Sequence, residues 1–333
     1  MRCLIGVDLG GTNVRVAFGD STGKIISRLT EKSDKNSGPM GIARQITRMI
    51  SSLKLAGKFH SVVLGCAGPL DLEDGSVVHS PHLGYDRIPV VKPLCEALQV
   101  PVHLMNDCVA AAVGEKEIGD RSRCSNLVYV TISSGIGAGV FVDDNLLIGK
   151  DGNAHEIGHM TLDYSAQLRC GCGKKGHWEA YCGGANASKF IDLQLSSRNK
   201  TEFESSLLYE LCGGETGKLS SKDLFESARK CDSLSLEIVE EMGRLNAIGF
   251  ANITNAYDPE LIIVGGAIPL AHSDLVLEPI RRLIGQYCLN RTPDIRLTEL
   301  GEDAVLRGTL VFLDSTYCKA LSQGRKSGKH APK

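Results

Sequence analysis

Cys170-Gly171-Cys172-Gly173-Lys174-Lys175-Gly176-His177-Trp178-Glu179 gathers two thiols and an imidazole into one short stretch, with glycines that let the chain turn back on itself. Sulfur and nitrogen donors so spaced suit Zn²⁺, whose structural sites take four tetrahedral ligands. A fourth donor stands upstream in His155-Glu156-Ile157-Gly158-His159, with His159 the first candidate and His155 its rival. A closed shell of this kind is structural, not catalytic. It would fix the loop that carries Glu156 and Glu179, and leave the second ring nitrogen of His159 for a ligand.

Two glycine turns suggest phosphate chemistry. Asp8-Leu9-Gly10-Gly11-Thr12-Asn13 offers unobstructed backbone N–H groups, hydroxyl and amide donors, and a carboxylate at a strand end, a set suited to a phosphate with its Mg²⁺. It matches neither the P-loop nor the dinucleotide pattern, so an ordinary hairpin turn is the competing reading. Ser133-Ser134-Gly135-Ile136-Gly137-Ala138-Gly139 is a second such turn, and a pair of them at the ends of matching strands can hold a polyphosphate from both sides. Asn106-Asp107, also at a strand end, reads either as a helix cap or as a carboxylate aimed at a hydroxyl, which would make Asp107 a general base. Gly68-Pro69 supplies a neighbouring turn.

These groups need a scaffold, and the hydrophobic pattern supplies an α/β one. Residues 3–7 form an apolar run, Val14, Val16 and Phe18 alternate as a second strand, and a third lies near Ile25-Ile26. Helices are expected over 42–53, 91–98 and from 106 or 107 onward, with strands at 62–65 and 102–105. Strand, glycine turn and strand recur over 127–142, an echo of residues 3–18 that suggests two similarly built domains. The segment 186–245 reads as mainly helical, 261–264 as a buried strand entering Gly265-Gly266, and the basic tail as disordered.

At 333 residues, two domains around a central cleft are the natural expectation. A net charge of −2, from 37 basic and 39 acidic residues, gives no footprint for nucleic acid. No apolar run is long enough for a membrane helix, and the cysteines read as reduced, so a cytoplasmic protein is expected.

Together these motifs resemble the ROK family of sugar kinases and sugar-responsive repressors. The resemblance rests on Asp8-x-Gly10-Gly11-Thr12, Asn106-Asp107, Glu156-x-Gly158-His159, Cys170-x-Cys172-Gly173-x-x-Gly176-His177-x-Glu179 and Gly265-Gly266, in that order, over residues 3 to about 312. It implies an actin-like ATPase fold, with ribonuclease-H-like topology in two α/β domains: 1–115, with a C-terminal helix from about 305–320 as a candidate to complete it, and a larger 116–304 that carries the zinc loop. Residues 321–333 are left as a disordered tail. The implied activity is ATP-dependent phosphorylation of the 6-hydroxyl of a hexose. Glucose is the first expectation; N-acetylmannosamine, fructose or another hexose is the alternative, and a sugar-sensing regulator the remoter one. A regulator would need a DNA-binding module ahead of the strand at residue 3.

In site terms, the resemblance implies that Asp8, Gly10, Gly11, Thr12, Asn13, Ser134, Gly135, Gly265 and Gly266 bind ATP and Mg²⁺. Gly68, Asn106, Asp107, Glu156, His159 and Glu179 hold the sugar, with Asp107 as the catalytic base, and His159, Cys170, Cys172 and His177 hold structural Zn²⁺. A homodimer is expected. Three departures from the family pattern stand out. His177 occupies a common cysteine position, Ser133 replaces a glycine, and Pro81-His82-Leu83 replaces a frequent Pro-Asn-Leu near the sugar.

Overall fold

The computed structural model describes residues 3–315 except 54, 56, 81, 82 and 119–123. Pro81 and His82, the end of the helix expected over 305–320 and the tail at 321–333 lie outside the described residues. The chain forms two compact units. One takes residues up to Tyr129, then Gly139–His155 and the chain from Glu299 on; the other takes Val130–Ala138 and Glu156–Thr298.

In the first unit, β1 (Cys3–Leu9), β2 (Asn13–Asp20) and β3 (Ile25–Lys32) form an antiparallel meander, followed by α1 (Gly41–Ser52) and β4 (Val62–Cys66). Next come the short strands β5 (Leu70–Asp71), β6 (Ser76–Ser80) and β7 (Tyr85–Pro89), then α2 (Val91–Leu98), β8 (Val102–Asn106) and α3 (Asp107–Ile118). The main sheet is ordered β3-β2-β1-β4-β8, with β4 parallel to both β1 and β8. The apolar run in β1 and the fully buried β4 are inner strands covered on both faces, whereas β3 at the edge alternates half-buried and exposed residues. Ile5, Val7, Val16, Phe18, Ile46, Met49 and Leu64 are among the residues that fill one side of this sheet.

The second five-stranded sheet is ordered β11-β10-β9-β12-β13, from β9 (Leu127–Ile132), β10 (Ile136–Val142), β11 (Asn145–Leu146), β12 (Leu261–Gly265) and β13 (Asp294–Leu297). From Trp178 to β12 the chain is mainly helical: α4 (Trp178–Cys182), α5 (Ala187–Leu195), α6 (Lys200–Glu204), α7 (Leu207–Cys212), α8 (Ser221–Arg229) and α9 (Ser233–Tyr257). Three starts follow from side-chain caps: Ser206 Oγ accepts the Tyr209 N–H ahead of α7, a reciprocal Ser220–Asp223 box opens α8, and Asp232 accepts the Ser235 N–H ahead of α9. After β12 come α10 (Ala267–Ala271) and α11 (Ser273–Leu283).

The last described helix, α12 (Ala304–Val311), packs on α3 and β1 within the first unit. Gly308 makes this crossing possible, because a β-carbon there would lie 1.7 Å from the Ala110 carbonyl oxygen. No described helix is long and apolar enough to cross a membrane.

Candidate functional site

In the first unit the expected residues collect at neighbouring strand ends. Parallel pairing sets Asp8 opposite Gly65 and Cys66 opposite Asn106, so the ends of β1, β4 and β8 lie side by side. The loop after Asp8 is a closed turn: the Gly10 N–H donates to the Asn13 carbonyl at 2.9 Å, and Ser33 Oγ donates to the Gly10 carbonyl at 2.6 Å. Gly68 precedes Pro69 through a cis peptide bond next to the end of β4.

Asn106 does what the capping reading requires. Its Oδ1 accepts the N–H groups of Cys108 at 2.8 Å and Val109 at 3.3 Å and opens α3. Asp107 is the first residue of that helix, and its Oδ1 accepts the Cys108 N–H at 2.8 Å. Burial and the nearby Asp107 carboxylate push Asp8 up to about 7, against the lowering effect of Arg15. Burial, then Asp107 and Asp8, push the Cys66 thiol well above its ordinary range. The two carboxylates thus raise the cost of ionising one another, a cost that a nearby cation would relieve.

Arg15 was not anticipated. It faces Asp8 across the β1–β2 register, with Nη1 4.0 Å from Asp8 Oδ2, and also donates to the Glu302 carbonyl at 2.8 Å. The signal was present in the sequence: a tight turn at Gly10-Gly11 pairs residue 8 with residue 15.

In the second unit the Cys/His loop folds as a small hairpin. Isolated bridges join Thr161 to His177 and Arg169 to Lys175, and the Gly176 carbonyl accepts the Leu162 N–H at 2.8 Å. This brings His159, Cys170, Cys172 and His177 together, with one ligand atom from each lying within 4.8 Å of all the others. His159 Nδ1 is 3.3 Å from His177 Nδ1 and 3.7 Å from Cys170 Sγ, while Cys172 Sγ is 3.4 Å from His177 Nδ1. A tetrahedron with bonds of ~2.0 Å to nitrogen and ~2.3 Å to sulfur has edges of about 3.3–3.8 Å, so this donor set fits Zn²⁺. His159 Nε2, on the other side of the ring, faces Glu156 Oε2 at 3.6 Å. Burial, with the Glu179 carboxylate adding to it, pushes the Cys170 thiol up to about 12.

His155, the rival ligand, is not in this cluster. It is 1% exposed, its ring bonds to the Gly152 and His155 backbone, and among the described residues its Nε2 has no partner. Burial lowers its pKa from 6.5 to about 4. The folded ring therefore stays neutral where the unfolded one charges, so its contribution is fully present above pH ~6.5 and is lost as pH falls towards ~4. Relative to His155→Gln, the native chain should lose roughly 3 kcal/mol of unfolding free energy across that window. Denaturant titrations of both proteins from pH 7.5 to 4.5 measure the difference, and parallel curves would refute it.

Trp178, the single tryptophan, is fully buried directly after His177 and donates from Nε1 to Asn246 Oδ1 of α9 at 2.9 Å. The two glycine turns of this unit also meet. Gly266, at a φ of +96°, lies so close to β9 that a β-carbon would be 2.4 Å from the Ile132 carbonyl oxygen, beside Ser133-Ser134-Gly135.

A family model described as the ROK family matches residues 4–315. The chain is 36% identical to a glucokinase of Pyrobaculum calidifontis, covering 95% of this chain and 96% of that protein. It is 30% identical to a glucokinase of Halalkalibacterium halodurans, over 92% and 93% respectively. Among solved structures, a ROK family glucokinase from Streptomyces griseus, in complex with glucose and AMPPNP, superposes with a TM-score of 0.79 at 26% identity, over 93% of this chain and 98% of that one. The fold shared with that structure is the expected actin-like ATPase fold. By sequence over nearly its whole described length and by its fold, this chain belongs to the ROK family.

Proposed function

We propose that this protein is an ATP-dependent hexose kinase that phosphorylates the 6-hydroxyl of its sugar, with glucose the first substrate to test. The observation that carries the reading is the carboxylate pair at the end of the first sheet. Asp107 opens α3 beside the closed turn that begins at Asp8, and the two charges oppose each other's ionisation. Similarity to glucokinases supports both the reaction class and the choice of glucose.

Phosphoryl transfer asks mainly for positioning and charge stabilisation. Mg²⁺, when bound with ATP, neutralises charge on the transferring phosphates. Asp8 is the side chain to orient that ion, and within the turn, whose Gly10 N–H is taken by the Asn13 carbonyl, the N–H groups of Gly11 and Thr12 are the ones to serve the phosphates. Asp107 accepts the proton of the sugar hydroxyl as it attacks. In the second unit, Ser134 and Gly135 serve the phosphates, Gly265 and Gly266 serve the adenosine, and Glu156, His159 and Glu179 serve the sugar. His159, Cys170, Cys172 and His177 would hold structural Zn²⁺, which would keep the His159 ring oriented for the sugar.

A coupled ADP-release assay over a hexose panel tests the reading, and no release with any hexose would overturn it. Metal analysis should find about one zinc per chain. Stripping it with a chelator should shift the Trp178 fluorescence and weaken sugar binding about 10- to 100-fold. Unchanged fluorescence and sugar affinity in metal-free protein would refute the zinc assignment.

A further inference from the structure

Glu179 is expected to hold a sugar hydroxyl, yet its carboxylate already serves another purpose. Oε2 accepts the N–H of Ile136 at 3.0 Å, at the exit of the Ser133-Ser134-Gly135 turn. Oε1 lies 3.2 Å from the Cys170 thiol, so the carboxylate stands between the Cys/His cluster and the turn. The fit is close, because a β-carbon on Gly135 would fall 2.4 Å from Glu179 Oε2. The backbone that follows adds two straps: the Gly184 N–H donates to the Ser133 carbonyl at 2.8 Å, and the Ala185 N–H donates to the Ser134 carbonyl at 3.0 Å. The Gly183 N–H returns to the Glu179 carbonyl at 2.9 Å and closes α4. One end of α4 is thus fixed by His177 and Trp178, and the other by the turn.

We propose that Glu179 is a positioning residue for the second phosphate turn, holding Ile136 so that Ser134 and Gly135 are presented to the nucleotide. This rests on the reading of that turn as a nucleotide site. A turn whose exit N–H has no side-chain acceptor is free to sample other shapes, whereas the Glu179 oxygen that accepts the Ile136 N–H selects one. Residue 135 must then be glycine because of Glu179, and not only because of the phosphate.

The test is calorimetric titration of Mg-AMPPNP into the full chain and its variants, with glucose titrated in parallel. Glu179→Ala should weaken nucleotide binding on the order of tenfold, the effect of losing a charge-assisted hydrogen bond. Glu179→Gln keeps an acceptor for the Ile136 N–H and should stay within about threefold. Gly135→Ala should also weaken nucleotide binding, and by a smaller factor in the Glu179→Ala background, where the β-carbon meets no carboxylate. Hydrogen exchange at the Ile136 amide should accelerate in Glu179→Ala, which a residue contacting only sugar would not cause.

If Gly135→Ala leaves nucleotide affinity unchanged, the reading of the turn fails. If Gly135→Ala weakens it but Glu179→Ala loses only glucose affinity, the positioning role fails. Should Glu179→Ala not fold, Glu179→Asp withdraws the carboxylate by one methylene while keeping its charge, and an unchanged nucleotide affinity there overturns the proposal equally.

Discussion

Asp107→Asn should fold, bind hexose and nucleotide within a few-fold of the native chain, and lose a factor of about 10² to 10⁴ in kcat. The substitution is nearly isosteric. The hydrogen bond that Asp107 Oδ1 accepts from the Cys108 N–H can be kept by the amide oxygen, and Asn106 still caps α3 through its own Oδ1. What is lost is the ability to take a proton from the sugar hydroxyl. Steady-state kinetics with binding constants measured separately distinguish this from a binding defect, since a base makes its contribution in the transition state. Turnover within threefold of native would remove Asp107 from the mechanism.

Asp8→Asn is the second large effect, and it has two opposite signs. Burial and the Asp107 charge raise Asp8 to about 7 when no cation is present. The unfolded chain ionises that group near its ordinary 3.8, so the cost of ionising Asp8 in the folded chain builds up as pH rises from about 3.8 to about 7 and is fully present above that. With 17% of the side chain exposed, replacing it by a neutral amide should stabilise the metal-free protein at pH 8 on the order of 2–4 kcal/mol. The same change removes the carboxylate proposed to orient Mg²⁺, and turnover at saturating ATP should fall by at least about 10². Thermal melts at pH 8 without Mg²⁺, beside kinetics with it, check both arms. A variant that is less stable and fully active would contradict the electrostatic account of this strand end. Sites that destabilise the empty protein in return for ligand binding are a recurrent trade-off.

Much of this was legible in the sequence because the strongest signals are local. The apolar run at 3–7, the alternation at 14–18 and the buried strands at 62–65, 102–105 and 261–264 are all strands in the structure. Each carries its own hydrophobic period and a punctuating glycine or Asx residue. The Cys/His cluster was readable for the same reason, since ligand spacing and turn glycines are encoded within one loop. The sequence put His159 ahead of His155, and the structure shows the reason: the Thr161–His177 bridge brings His159 to His177, while His155 is buried on its own backbone contacts.

Other features depended on register or on distant packing. Arg15 reaches Asp8 only through the β1–β2 pairing, and Trp178 is seated by Asn246, far along the chain on α9. Glu179 showed the limit of motif reading. The family resemblance implied a sugar ligand at Glu179, and nothing in the local sequence points to its contact with Ile136, which comes from a different strand end. The close approach of Gly308 to Ala110 is likewise invisible until α12 is laid on α3.

The central claim is transfer of phosphate from ATP to a hexose, and it is tested most directly by incubating purified protein with Mg-ATP and glucose and identifying the products by phosphorus NMR. The account predicts equimolar ADP and glucose phosphorylated at the 6-hydroxyl, absent without Mg²⁺ and nearly absent with Asp107→Asn. Protein that binds both glucose and ATP yet forms no sugar phosphate, from glucose or from any other hexose, would contradict it.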